Sequence, residues 1–301
     1  MNTKPSAATL EAALNAPRVH GRGVWGDAAR RLFRNKAAVA SMVVLAVIVL
    51  LAVFAPWLSV YAIDDIDWDN IQAPPDFAAR HWFGTDGNGR DLFVRTLYGG
   101  RASLAVGVLA TAVSLVIGVA YGSVAGYIGG RVDTVMMRFV DVMYSLPFMF
   151  FVIVLVAVFG RNFILIFVAI GAVEWLTMAR IVRGQTLSIK RREFVEAAHA
   201  IGVPSHRIIL RHTLPNVLGP VIVYATLTVP QVILIESFLS FLGLGIQEPL
   251  SSWGVLISEG AKVIEVAPWM LIFPGLFLAV TLFCFNFIGD GMRDALDPKD
   301  R

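Results

Sequence analysis

The sequence has little charge and almost no cysteine. Only 16% of its 301 residues are Asp, Glu, Lys or Arg, whereas soluble chains carry about 25%. This shortage excludes an ordinary soluble domain with a fully hydrated surface. The single cysteine, Cys284, excludes a disulfide within the chain. No Gly-Lys pair occurs, so the chain lacks the loop that cradles ATP phosphates, and neither an enzymatic activity nor a cofactor is expected.

What the chain has instead is long uncharged runs, in a composition that is 57% hydrophobic. A helix needs about 20 apolar residues to cross the hydrocarbon core of a bilayer. Six runs approach or exceed that length, and only the fourth is interrupted, by Glu174. The runs lie at 37–58, 102–128, 142–159, 162–179, 213–235 and 266–289. We predict an all-α integral membrane protein with six transmembrane helices in a domain over residues 37–290.

Basic residues are unevenly distributed among the connecting segments. Most of the 25 Lys and Arg residues fall in the tail 1–36, the loop 183–212 and the tail 291–301. Because cytoplasmic segments carry the excess of Lys and Arg, these three segments, with both termini, are predicted to be cytoplasmic. The loop 59–101 and the segment 236–265 are then outside. This asymmetry accounts for a pI of about 9.2 without a nucleic-acid partner.

The cytoplasmic loop before the fifth span has the pattern of two short helices joined by a rigid corner. EFVEAAHAI at 193–201 contains good helix formers, and Gly202 follows where a residue with positive φ ends a helix. Pro204 marks the restart, and Ser205 is suited to cap a second helix. That helix would reach Pro215 at the start of the span. The pattern predicts a device that transmits movement from the cytoplasm into the membrane.

The stretch EAAHAIGVPSHRIILRHTLP at 196–215 resembles the coupling loop of ABC-importer permeases. That loop has Glu-Ala-Ala, three residues, Gly, nine residues and an ending in Leu-Pro. The general pattern favours an aliphatic residue where His212 stands, and a histidine there is similar to the peptide-permease branch. Further stretches are similar to the same branch, among them HWFGTDGNGRDLFVRTLYGGRASL, GYIGGRVDTVMMR, ESFLSFLGLGIQEPLSSWG and FNFIGDGMRDALDPKDR. The resemblance implies the type I ABC-importer permease fold in the inner membrane of a bacterium.

The same resemblance implies partners for the loop 193–213. A sister permease would complete a heterodimer, two cytoplasmic ATP-binding subunits would drive it, and an external peptide-binding receptor would deliver short peptides. The first short helix would seat in a groove of an ATPase subunit, with Glu196 paired to a basic residue there. The residues that the resemblance marks for coupling are Glu196, Ala197, Ala198, Gly202, Pro204, His212, Leu214 and Pro215.

Charged residues within the predicted spans form a second group of candidates. Glu174 lies deep in the fourth span, and Glu236 closes the fifth. Ionisable groups in a membrane are costly and usually face a partner or a water-filled path. Both are therefore candidate translocation-path residues, although a structural pair for Glu174 and an interfacial position for Glu236 stay open. Asp141 is expected to form a local i,i+3 ion pair with Arg138.

Small residues form a ridge along the second predicted span. Ala110, Ser114, Gly118, Gly122 and Gly126 recur every four residues and so share one helix face. Such spacing lets two helix backbones approach closely in lipid. The three glycines are candidates for packing against another subunit, and packing within this bundle is the alternative.

Two groups of residues suggest a metal site but lack its pattern. His199, His206 and His212 share one loop without the spacing or the company of a zinc site. The segment from Asp86 to Asp91 lacks the glycine at the sixth position of a calcium loop. A tight glycine-rich turn is the simpler prediction there, and no metal is expected.

Other transport classes are less consistent with the sequence. An ion-coupled secondary transporter usually has inverted repeats and broken midplane helices, and a channel needs rings of polar residues along a span. The sequence shows neither pattern. Within the importers, nickel or another small solute is the alternative cargo to a peptide.

Overall fold

The computed structural model describes residues 24–160, 163–248 and 250–296, and these ranges are helical with connecting loops. Two isolated bridges are the only extended pairings within them, and both lie in the loop 59–91, which is predicted to be outside and is called the outer loop below. In chain order the described helices are α1 (Val24–Arg34), α2 (Lys36–Leu58), α3 (Leu92–Ile128), α4 (Gly130–Ser145), α5 (Phe148–Phe159), α6 (Phe163–Lys190), α7 (Glu193–Ala200), α8 (Ser205–Phe241), α9 (Trp253–Ala261) and α10 (Trp269–Leu296).

Four of these helices, α2, α3, α8 and α10, are long and apolar enough to cross a membrane. The pair α4 and α5 makes a fifth candidate, although the chain bends there by 83°. The bend falls at Pro147, which lacks the N–H that a continuous helix requires, so the third span predicted at 142–159 stays a prediction and would be a broken one. The described part of the predicted fourth span, 163–179, lies within α6, which is not among the candidates. The all-α membrane fold is confirmed, and the count of six spans stays a prediction.

The glycine ridge of α3 packs against α6 of the same chain. A Cβ atom on Gly118 would lie 2.6 Å from the Cβ of Met178, and one on Gly122 would lie 2.4 Å from the carbonyl oxygen of Ala179. A Cβ atom on Gly126 would lie 2.8 Å from both the carbonyl oxygen of Arg183 and the Cβ of Thr186. The ridge therefore serves packing within the bundle. Of the two alternatives, packing within this bundle is the one that the contacts support, because α6 already occupies the face of these glycines.

An arginine near the start of α3 ties that helix to α2. Pro56 lies inside α2 and has no N–H to donate to the carbonyl of Ala52, four residues earlier. The Arg101 Nε donates a hydrogen bond to this carbonyl, and its Nη2 donates to the carbonyl of Val53 at 2.6 Å. The guanidinium thus satisfies the Ala52 carbonyl, which the proline leaves without its helical partner, and adds a second hydrogen bond at Val53.

A buried ion-pair network joins the outer loop to α3 and α9. The side chains of Arg95 and Asp86 are both 1% exposed and contact each other directly, and Arg95 Nη1 lies 3.1 Å from Glu259 of α9. Arg90 Nε also reaches Asp86, at 2.8 Å, and its Nη2 lies 2.9 Å from Glu248. These contacts fix the loop 59–90 on the outer ends of the helices.

Asp86 also closes the turn that the sequence suggested. Its Oδ1 accepts hydrogen bonds from the backbone N–H groups of Asn88, at 2.8 Å, and Arg90, at 2.9 Å. Gly89 completes the turn with a φ of +78°. Among the residues that the structure describes, no cluster of His, Cys, Asp and Glu could hold a metal ion.

A buried histidine closes the rest of the outer loop. The Nδ1 of His81 lies 2.8 Å from the carboxylate of Asp91, its Nε2 lies 3.4 Å from Asp67, and its ring stacks on Tyr61. Asp91 caps α3 by accepting a hydrogen bond from a backbone N–H of the first turn. Burial raises the pKa of the Asp91 carboxyl, whereas the hydrogen bond from Asn70 lowers the pKa of Asp67. The outer loop is therefore a folded platform.

The Asp86→Asn substitution is expected to destabilise this platform. It would leave the buried Arg95 guanidinium with only a partly exposed partner, and breaking a buried ion pair costs about 3–5 kcal/mol. The melting temperature of the purified protein should fall by several degrees. Asp69→Asn, at an exposed position of the same loop, should leave it unchanged. Equal melting temperatures for both variants would contradict the account of this network.

Candidate coupling and translocation sites

The corner after α7 is closed by backbone hydrogen bonds around a glycine. Gly202 has a φ of +79°, and its N–H donates to the carbonyl of His199 at 3.0 Å. The next N–H, of Val203, reaches back to the carbonyl of Ala198 at 3.1 Å. This pair of bonds is the Schellman motif, which ends a helix on a residue in the left-handed region. The predicted positive φ of Gly202 is confirmed.

The second helix of the corner begins one residue earlier than predicted. Pro204 occupies the cap position with extended backbone angles, and Ser205 is the first helical residue. The carbonyl of Pro204 accepts hydrogen bonds from Arg207 at 2.9 Å and Ile208 at 3.1 Å. The prediction that Ser205 caps the helix is therefore wrong, because the fixed φ of Pro204 already sets the entry into the helix.

The corner continues without a break into α8. A π-helical turn at Ile209–Thr213 precedes Pro215, which has no N–H for the carbonyl four residues before it. A widened turn of this kind is one of the recognised adjustments of a helix around such a residue. Within it His212 is half-buried and its carbonyl accepts a hydrogen bond from Asn216 at 2.7 Å. Leu214 and Pro215 follow at the start of the apolar part of α8.

The two faces of α7 differ in what they contact. Val195 and Ala198 are buried in a hydrophobic cluster shared with α6 and α8, whereas Glu196, Ala197 and His199 are exposed. Among the described residues Glu196 takes part in no ion pair. Ala198, one of the residues that the resemblance marks for coupling, is instead part of this chain's own core.

Two basic residues near the end of α6, next to the corner, connect α6 to α3 and α4. Arg183 forms a two-point pair with Asp133 of α4, at 2.5 and 2.6 Å. Lys190 donates to the carbonyl of Tyr127 at 2.5 Å and lies over its ring. A cleft of about 520 Å³ opens beside Lys190 and is lined partly by Glu196. The exposed face of α7 and the cleft together offer a partner both acidic and basic groups.

A second candidate site is a group of polar side chains on α6 and on its neighbours α4 and α8. We call this group the polar stripe. It consists of two acidic residues, one basic residue and three hydroxyl side chains: Glu174, Asp141, Arg180, Thr177, Tyr144 and Tyr224. The hydroxyl of Thr177 hydrogen bonds with that of Tyr144 on α4, and Tyr224 on α8 lies close to Thr177 and Glu174. Asp141 pairs with Arg180 at 2.8 Å. The predicted pair with Arg138 is therefore wrong, because a residue on another helix lies closer.

Glu236, the other candidate path residue, is fully enclosed. Its side chain is 0% exposed, and its oxygens accept hydrogen bonds from Ser103 at 3.0 Å and Ser240 at 2.6 Å. Ser252 donates to Ser240 in turn, and the N–H of Trp253 donates to Ser103. The carboxyl group thus joins α3, α8 and the start of α9. Within this chain it faces neither an open path nor the outer interface.

Comparison with known families decides the class of the protein. Residues 118–301 match the family described as binding-protein-dependent transport system inner membrane component. The chain belongs to this family. Residues 23–75 match a second family, the N-terminal TM domain of oligopeptide transport permease C. The protein is therefore a multi-pass membrane component of a transport system.

Relatives of this transport component are similar over nearly its whole length. The oligopeptide transport system permease protein OppC of Escherichia coli K12 is 60% identical, over 100% of both chains. The protein of the same name from Haemophilus influenzae is also 60% identical, over 94% of this chain and 91% of its own. The dipeptide transport system permease protein DppC of Bacillus subtilis is 49% identical, over 91% and 86%.

Most of the polar stripe of this transport component was missed at the level of sequence. Glu174 was recognised as an intramembrane charge, but Thr177 and Arg180 were not grouped with it. Their i, i+3 and i, i+6 spacing was the available signal, because residues three apart are neighbours on a helix surface. The two tyrosines come from other helices, so only the fold could place them in the group.

Proposed function

We propose that this chain is the transmembrane subunit of an ATP-driven importer of short peptides and forms half of the translocation pathway with a sister permease. The observation that carries the proposal is the corner at 193–213, which presents one exposed face of α7 and runs unbroken into the membrane helix α8. The relatives named as oligopeptide and dipeptide permeases favour peptides over nickel or another small solute as the cargo.

In this proposal the motor is separate from the chain. Of two cytoplasmic ATP-binding subunits, one binds the exposed face of α7, where Glu196 pairs with a basic residue of the partner's groove and Ala197 permits close approach. An external receptor delivers the peptide to the outer platform. When ATP closes the two motors, the rigid corner moves α8 and opens the path outward, and hydrolysis returns it to the inward-facing state.

The two charged candidates have different proposed roles. Glu174 faces the pathway between the two permeases, because its side chain lies on the polar stripe and pairs with no described basic residue. Glu236 holds the outer ends of three elements together, because its carboxyl oxygens accept hydrogen bonds from Ser103 and Ser240 of the same chain.

Copurification tests the proposal against a transporter that works alone. A tagged chain extracted in mild detergent should bring down two ATP-binding subunits and a sister permease. The Glu196→Arg variant places a like charge in the proposed groove and should lose the ATP-binding subunits while it keeps the sister permease. A chain that transports peptides after purification without any ATP-binding subunit would refute the proposal.

The proposed orientation places both termini and α7 in the cytoplasm. Cysteine at Asp69, on the outer loop, should react with a membrane-impermeant maleimide applied from outside. Cysteine at Ser188, at the end of α6, should react only when the membrane is opened. Both positions are exposed, and the native Cys284 is buried, so the unaltered chain serves as the unlabelled control. Reaction of both positions from the same side would contradict the topology.

A further inference from the structure

The polar stripe lies on the part of α6 that turns away from the core of the subunit. Met178, Ala179 and Val182 of α6 pack against the glycine ridge of α3 and are buried. Thr177 instead hydrogen bonds with the hydroxyl of Tyr144 on α4. The side chains of Arg180 and its partner Asp141 are 46% and 53% exposed. The stripe is thus open on the side that the rest of the chain leaves uncovered.

Lipid is an unsuitable environment for this open side. Ionised side chains at membrane depth are costly, and they face a partner subunit or a water-filled cavity. Of the charged members of the stripe, Glu174 lies within the predicted fourth span, whereas Asp141 and Arg180 lie at the edges of the predicted third and fourth spans. Its surroundings in the membrane are therefore aqueous or polar.

The stripe has binding capacity that the chain itself leaves unused. Glu174 forms no ion pair with any described residue. Arg180 gives one Nη2 hydrogen bond to Asp141, and its guanidinium lies over the ring of Tyr144 at 4.2 Å. A guanidinium carries five N–H donors, so others remain available. One end of the stripe can accept a cation, and the other can donate to an anion.

The separation of the two ends fits a small zwitterion. Glu174 and Arg180 are six residues apart on one helix, which corresponds to a rise of about 9 Å. An extended peptide of two or three residues spans roughly 7–11 Å. The hydroxyl groups of Thr177, Tyr144 and Tyr224 lie around the level between these ends, where the amide groups of such a peptide would need donors and acceptors.

We propose that the polar stripe is a binding subsite for the two termini of a short peptide. Glu174 accepts the N-terminal ammonium group, Arg180 donates to the C-terminal carboxylate, and the tyrosine hydroxyls bond to the peptide amides between them. The subsite deepens the proposed function and rests on it, because it assigns a cargo-binding role to residues of the pathway. It would favour free short peptides over the same peptides with blocked ends.

The test uses the complete complex in liposomes with wild-type receptor and four forms of one tripeptide: free, N-acetylated, C-amidated and doubly blocked. Glu174→Gln and Arg180→Gln are compared with matched controls at exposed positions, Glu265→Gln and Arg131→Gln. Glu174→Asp keeps the charge. Each rate is divided by the wild-type rate for the same peptide, which cancels the preference of the receptor, and complex yield is recorded for every variant.

The expected result is a crossed pattern. Glu174→Gln should slow the free and C-amidated peptides about tenfold, as loss of one charged hydrogen bond implies, and should leave the N-acetylated peptide near its wild-type rate. Arg180→Gln should slow the free and N-acetylated peptides and spare the C-amidated one. Glu174→Asp should retain the wild-type pattern in part, and the two controls should match wild type.

Two other results would overturn the subsite. An equal loss for all four peptides, with lower complex yield, would mean that the stripe only holds helices or subunits together. Unchanged rates for every peptide in both Gln variants would mean that no terminus binds there. Failure of the wild-type complex to transport the free peptide would instead remove the proposed function itself, and the subsite with it.

Discussion

Peptide uptake by a complex that carries Gly202→Val should fall about tenfold or more, while the chain is still made and inserted. Gly202 holds a φ of +79°, and a β-branched residue in that region costs about 1–3 kcal/mol. A penalty of that size lowers the equilibrium constant for forming the corner by about 5- to 150-fold. Because a Cβ at this position meets no atom within 4 Å, the effect would come from the backbone alone. Uptake and copurification of ATP-binding subunits measure it.

Two further variants separate the backbone effect from a general one. Gly219 also has open space around its Cα but lies within α8 at an ordinary helical φ, so Gly219→Ala should leave uptake unchanged. Gly202→Asn should retain more activity than the valine variant, because asparagine tolerates the left-handed region. Normal uptake and normal copurification for Gly202→Val would contradict the role of the corner.

Gly122→Leu should lower the free energy of unfolding of the chain strongly, and more than Gly122→Ala does. The new Cβ would lie 2.4 Å from the carbonyl oxygen of Ala179 and 2.9 Å from the Cβ of Val182. Neither neighbour is the free end of a flexible side chain, so α3 and α6 must move apart. Overpacking of this kind costs typically about 1–3 kcal/mol and sometimes more. Melting temperature and complex yield should both fall.

The control for this prediction lies on the same helix. Val124 is exposed on α3, so Val124→Leu adds volume where nothing in the described chain has to move. Gly122→Ala should give an intermediate loss, because it introduces the clashing Cβ without the rest of a leucine. If Gly122→Leu lowered recovery of the sister permease but left the melting temperature of the isolated chain unchanged, the ridge would belong to a subunit interface after all.

Local chemistry predicted the coupling corner well. The positive φ of Gly202 and the restart of the helix at Pro204 follow from the conformational limits of glycine and proline, which act over a few residues. Only the cap was misassigned to Ser205. The uncharged runs likewise located the apolar parts of α2, α3, α8 and α10, because hydrophobic length is a property of the sequence itself.

The errors arose where tertiary contacts neutralise charges. The second span was predicted from residue 102, although α3 begins at Leu92, because Arg95 and Arg101 looked like loop residues. In the fold Arg95 forms an ion pair with Asp86, and Arg101 donates hydrogen bonds to carbonyl groups of α2. Asp141 was given a partner on its own helix for a similar reason. Nothing local in the sequence showed that Arg180, on α6, would lie closer.

Import driven by separate ATP-binding subunits through the corner is tested most directly by uptake of a labelled tripeptide. The liposomes contain the chain, its sister permease and the ATP-binding subunits. We expect uptake only when the external receptor and ATP on the cytoplasmic side are both present. We expect it to be lost when the corner is altered by Gly202→Val. Uptake that proceeds without ATP or without the ATP-binding subunits, driven by an ion gradient across the membrane, would contradict the account.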